Sequence, residues 1–120
     1  MEESYNLAKS IGEILMDKKA KNPIILDVRD MTLVSDYFVI ATGTSITHVQ
    51  ALAEHLMTSL KKTEGFSPLH KEGVETGNWV LIDYNSVLVH IFQEETREFY
   101  NLERLWGEAE EIHLTEESEI

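Results

Sequence analysis

The stretch GNWVLIDYNSVLVHIF, residues 77–92, holds two apolar runs hinged at Asn85-Ser86, and sorting its side chains by face decides what fold the chain can make. If the hinge closes as a two-residue turn, Tyr84 faces Val87, Ile82 faces Val89 and Val80 faces Ile91, all on one side of the pleat. That side is wholly apolar and belongs in a core. The other side sets Asp83 against Leu88, Leu81 against His90 and Trp79 against Phe92. It is too apolar for open water and too polar for an ordinary interior, so a covering element or a partner is expected over it.

Working outward from the hairpin, apolar residues return at helical spacing on both flanks. Leu7, Ala8, Ile11, Ile14 and Leu15 predict an amphipathic helix over 4–20, stopped before Asn22-Pro23. IILDV (24–28) and YFVIAT (37–42) read as short buried strands joined by the polar connector RDMTLVSD. Thr47 with Gln50 has the spacing of a capping box, and Val49, Leu52, Ala53, Leu56 and Leu60 line one face of the helix that follows, to about 63–65. FSPLHKE (66–72) is a weaker strand, because Pro68 lacks a ladder donor and points to an edge or an irregular end. After the hairpin, Phe99, Leu102, Leu105 and Trp106 share a face and predict a helix over 95–106, ended by Gly107. The order αββαβββα mixes a crossover with a hairpin, so the fold class is α/β, one mixed sheet carrying helices.

The 120 residues amount to one domain, here 1–106, followed by a tail over 107–120. Ten Lys and Arg against 22 Asp and Glu give a net charge of -12, which repels phosphate backbones and favours basic partners. Little direct nucleic-acid binding is expected. The tail carries Glu108, Glu110, Glu111, Glu116, Glu117 and Glu119 without a basic residue, and is expected to be disordered and solvated. Cysteine is absent, which removes disulfides, thiolate nucleophiles and cysteine zinc sites and fits a reducing compartment, with the cytoplasm as the expected location. No segment has the ~20 apolar residues of a membrane span, and MEESYNLAKSIG does not read as an export signal.

The motifs that could carry chemistry each have a plainer explanation. His48, His55, His70, His90 and His113 include no i, i+4 pair, so no metal site is expected. Gly43-Thr44-Ser45 joins a strand to a helix N-terminus and could hold a phosphate, but a turn glycine with helix caps accounts for it. Asp27 and Asp30 flank Arg29, a neutralising partner, and there is no Asp-x-Asp for magnesium. Ser35-Asp36 lacks a nucleophile elbow, and His90 suits a hydrogen-bonding contact residue better than a catalytic base. No enzyme constellation assembles and no cofactor is implied.

SDYFVIATGTS followed by HV (35–49), Glu72-Gly73, GNWVLIDY, VLVHIF and REFYNLERLW together resemble the bacterial ribosomal silencing factors, the Iojap-like family. The likeness runs from the first helix to Trp106; the hairpin turn, usually Gly-Asp in that family, is Asn85-Ser86 here. The resemblance implies a nucleotidyltransferase-like fold without that superfamily's chemistry. It implies a partner as well: a basic β-barrel protein of the large ribosomal subunit, the one numbered fourteen, on which such factors block joining of the small subunit. The residues expected to touch it are Trp79, Leu81, Asp83, Tyr84, Leu88 and His90, with apolar anchors and Asp83 for a basic group. Two rivals remain: a nucleotidyltransferase-like enzyme using Gly43 to Ser45 and Asp27 or Asp30, and a homodimer closing on the Trp79 face.

Overall fold

The computed structural model describes residues 2–114. Helix α1 spans Glu2–Asp17, β1 Lys21–Asp27, β2 Tyr37–Gly43, α2 Ile46–Glu64, β3 His70–Glu72, β4 Trp79–Asp83 and β5 Val87–Gln93. Then come α3, Glu94–Tyr100, α4, Leu102–Leu105, and β6, Glu110–His113. Among the described residues, six strands form one mixed sheet in the order β3-β4-β5-β2-β1-β6. Only β2 and β5 run parallel, joined through the α2 crossover; every other neighbouring pair is antiparallel.

The hairpin has the expected register: Val80 lies opposite Ile91, Ile82 opposite Val89, Trp79 opposite Phe92, Leu81 opposite His90 and Asp83 opposite Leu88. Asn85 takes the left-handed conformation the tight turn needs (φ 74°), and its N–H is held by the Asp83 carboxylate at 2.7 Å. The apolar face, with Val80, Ile82, Val89 and Ile91, lies under α1 and α2 and is buried with Ile11, Leu15, Leu52, Leu56 and Leu60. Gly43 is required by this packing. A Cβ there would stand 2.7 Å from Val49 Cγ2 and 3.0 Å from Val49 N, where the β2 end turns into α2.

Several local expectations are corrected. α2 is capped by Ser45, whose hydroxyl accepts from His48 N–H at 3.0 Å, so Thr47 is already inside the helix. β1 starts earlier than Ile24 and carries an irregularity between Lys21 and Ile24, with Asn22 at φ 49°. FSPLHKE shrinks to the three-residue edge strand β3.

The single helix expected over 95–106 is two short helices, because Asn101 adopts φ 48°. Its N–H donates to the Arg97 carbonyl at 2.8 Å and its side chain accepts from Arg104 N–H, closing one helix and opening the next.

The tail expectation fails over Glu110–His113, where β6 pairs antiparallel with β1, Ile112 opposite Ile25. The physical reason is a short apolar alternation that the dense glutamates conceal: Ile112 and Leu114 pack on the α1 side while Ala109 is buried on the other. Gly12 makes room for Leu114, since a Cβ on α1 at that point would run into its side chain. The rest of the expected tail, 115–120, lies outside the described residues.

Candidate docking surface

The second face of the sheet is built from alternate residues of four strands. Ile24 and Leu26 come from β1, Phe38 and Ile40 from β2, Trp79, Leu81 and Asp83 from β4, and Leu88, His90 and Phe92 from β5. Leu102, Trp106 and Ala109 pack onto it in one cluster with Ile24, Leu26, Phe38, Ile40 and Phe92, Trp106 edge-on to Phe38. The cover stops short of β4, and Trp79, Leu81, Asp83 and Leu88 remain half-buried. The face is therefore shared between an internal lid and an open margin.

At that margin the rings form a chain. Trp79 packs on Phe92 (centroids 4.9 Å apart) and on Tyr100 (4.7 Å), and Phe99 meets Tyr100 edge-on at 5.1 Å. Underneath, the Trp79 indole N–H donates to His90 Nδ1 at 3.1 Å. An indole can only donate, so Nδ1 carries no proton and the neutral ring bears its hydrogen on Nε2. That Nε2 is buried with no partner among the described residues. Burial lowers the His90 pKa to about 4, which keeps the acceptor available to Trp79 at neutral pH.

Four of the six residues expected to meet a partner, Trp79, Leu81, Asp83 and Leu88, lie together on this margin. The other two are corrected. Tyr84 is 7% exposed and belongs to the opposite core, as strand alternation after Asp83 requires. Its hydroxyl is buried without a partner among the described residues, and burial pushes its pKa up to about 12. His90 is 5% exposed and meets Trp79, Phe38 and Phe92, so it supports the surface from beneath. Asp83 already spends one carboxylate oxygen on the turn.

The sequence pattern put Phe99 and Leu105 on one helix face with Leu102 and Trp106, yet they are 81% and 73% exposed, and Tyr100 is exposed beside Trp79. The signal that could have found them is Asn101, a residue that both ends and starts helices; with the break, Phe99 no longer shares a face with Leu102. The connector between β1 and β2 adds exposed Met31, Leu33 and Val34.

The phosphate turn is occupied by its own side chains. Thr44 N–H donates to His48 Nδ1 at 2.9 Å, and the far side of that ring donates to the Lys18 carbonyl at 2.8 Å. Asp27 is paired with Arg29 through hydrogen bonds that hold its carboxyl below the usual range. No cluster of three or more His, Cys, Asp or Glu is arranged to hold a metal among the described residues. Nor is any described helix long and apolar enough to cross a membrane.

All of residues 1–120 match the family described as ribosomal silencing factor during starvation. This chain belongs to the ribosomal silencing factor family. Ribosomal silencing factor RsfS of Halalkalibacterium halodurans is 40% identical over 98 residues, 82% of this chain and 83% of that protein. The mouse protein named mitochondrial assembly of ribosomal large subunit protein 1 is 35% identical over 95 residues, 78% of this chain and 42% of its own length. A crystal structure of a Chromobacterium violaceum protein superposes with TM-score 0.79 at 36% identity, covering 89% of this chain and 86% of that one. Membership of this family places the chain among regulators of translation that act at the ribosome.

Proposed function

We propose that this chain is a non-catalytic repressor of translation that works by occupying space on the large ribosomal subunit. Its Trp79 margin docks on a basic protein of that subunit, the one numbered fourteen, and the bound domain obstructs joining of the small subunit. The observation that carries this reading is an aromatic surface, Trp79 with Tyr100 and Phe99, left half-covered on a chain of net charge -12. Aromatic anchors supply most of the binding energy where they can be desolvated, and opposite charge steers the approach. The same charge opposes direct contact with exposed RNA. The name of the mouse relative supports the large subunit as the partner. Internal engagement of Thr44, His48 and Asp27 gives the nucleotidyltransferase-like alternative no support. The working compartment on this reading is the cytoplasm.

A subunit-joining assay tests it. Adding the protein to free large subunits before the small ones should lower the yield of joined ribosomes in proportion to the protein added, with no dependence on turnover. An unchanged yield at saturating protein would overturn the reading.

A further inference from the structure

Helix α3 presents Phe99 and Tyr100 to the docking surface, yet its seven residues are all half-buried or exposed. Hydrophobic burial of its own side chains does not explain why it stays in place, and a helix this short does not persist alone in water. A single side chain of the same helix supplies the reason. Arg97, its side chain only 11% exposed, donates from Nη1 to Thr42 Oγ1 at 2.7 Å and to the Asn22 carbonyl at 3.0 Å. Its Nε and Nη2 reach Glu103 Oε2 at 3.0 and 2.9 Å. Thr42 is buried near the end of β2, Asn22 sits in the irregular start of β1, and Glu103 belongs to α4. One guanidinium thus joins α3 to two strands and to the next helix, while Tyr100, one turn further along α3, lies against Trp79.

We propose that Arg97 is a positioning residue for docking: its fork clamps α3 to the ends of β1 and β2 and so holds Phe99 and Tyr100 beside Trp79 in the arrangement that receives the partner. This rests on the reading of the Trp79 margin as the docking surface. The geometry needs a planar group with several fixed donors, which a lysine ammonium does not reproduce. Without the fork, Thr42 and the Asn22 carbonyl lose a donor and the half-buried Glu103 carboxylate loses its counter-charge. Water then competes for all three, and α3 is released on that side.

The test uses the full chain in a Trp106→Phe background, so that fluorescence reports Trp79 alone. Trp106 packs edge-on against Phe38, and phenylalanine keeps an aromatic ring there. Arg97→Ala should make Trp79 more accessible to acrylamide and weaken binding to purified bacterial large ribosomal subunits by about tenfold. Introduced into a Phe99→Ala/Tyr100→Ala chain, the same change should leave binding as it was, because the groups it positions are gone. Arg97→Lys should fall between wild type and Arg97→Ala. Unchanged quenching, or an equal binding loss in the Phe99→Ala/Tyr100→Ala chain, would overturn the inference. If Arg97→Ala does not fold, Arg97→Lys carries the same two readouts, and the same two results overturn the inference. Trp79→Ala measured alongside separates the layers: normal binding by that variant overturns the docking surface itself, whereas weak binding by Trp79→Ala with normal binding by Arg97→Ala overturns the role of Arg97 alone.

Discussion

Ile82 and Trp79 stand on the same strand and face opposite ways, and what covers them differs in kind. The Ile82 side lies under α1 and α2, helices of 16 and 19 residues that pack on β1, β2, β4 and β5. The Trp79 side has α3 and α4, of 7 and 4 residues, and of these two helices Leu102 alone joins the second core, with Trp106 packing on it just after α4. Long helices with a continuous stripe close a face and turn it into core. Short ones broken at Asn101 close half of a face and leave the remainder as surface, and that difference separates stability from recognition on one sheet.

The largest effect should come from the closed face. Ile82→Ala removes a fully buried branched side chain and should cost about 2 to 5 kcal/mol in urea unfolding. Subunit binding by the fraction still folded should be normal. A loss under about 1 kcal/mol would mean that the α1 and α2 side tolerates a cavity as a surface does, and the contrast would dissolve.

Acid should strike the other face. His90 has its pKa lowered to about 4 by burial, so between the unfolded value of ~6.5 and about 4 the unfolded chain binds a proton that the folded chain refuses. The neutral ring's contribution is therefore fully present above ~6.5, is lost as pH falls toward 4, and levels off below that, a drop of about 3 kcal/mol. Asp27, also held low, contributes in the same direction but at lower pH, because its ordinary value is 3.8. Chemical denaturation from pH 7.5 to 4 checks this in wild type and His90→Phe. An equally steep fall in both would assign the acid sensitivity to another group.

Ending the chain after Ala109 removes β6 with Ile112 and Leu114, both packed on the first core, and bares the edge of β1. The loss should be about 2 to 3 kcal/mol from apolar area alone, seen as a lower melting temperature. Unaltered stability would show that the closed face is complete without its sixth strand.

How much of this could be read from the chain follows the same division. The hairpin register and the stripes of α1 and α2 are visible because period-2 and period-3.6 patterns there extend over many residues and are confirmed by burial. β6 hides because the apolar residues in and beside it, Ala109, Ile112 and Leu114, are few and set among glutamates, and charge density outweighs so short an alternation. Phe99 and Leu105 mislead because their spacing fits one helix, and a single left-handed Asn101 turns them outward. On the candidate surface, Trp79, Leu81, Asp83 and Leu88 follow from alternation alone, whereas the burial of His90 depends on how far a lid from elsewhere in the chain extends, which no local pattern carries.

Trp79→Ala is the sharpest probe of the contrast, with the smallest expected effect on folding. The indole is half-buried, its ring contacts are with Phe92, Tyr100 and His90, and it packs against the second core as a partly buried neighbour and not as a buried member. Truncation should therefore cost stability less than Ile82→Ala does, while removing a central aromatic anchor should weaken large-subunit binding by about 2 kcal/mol, roughly thirtyfold. Part of any stability loss comes from His90, which would lose its indole donor while remaining buried. Trp79→Phe keeps the ring but not the N–H, and so separates the two contributions. Binding near wild type with a small stability loss would mean that the ring is the anchor and the hydrogen bond only orients it. If Trp79→Ala instead unfolds the chain as readily as Ile82→Ala, the two sides of β4 are equally core, and recognition must fall to Phe99, Tyr100 and Leu105 on the ridge above.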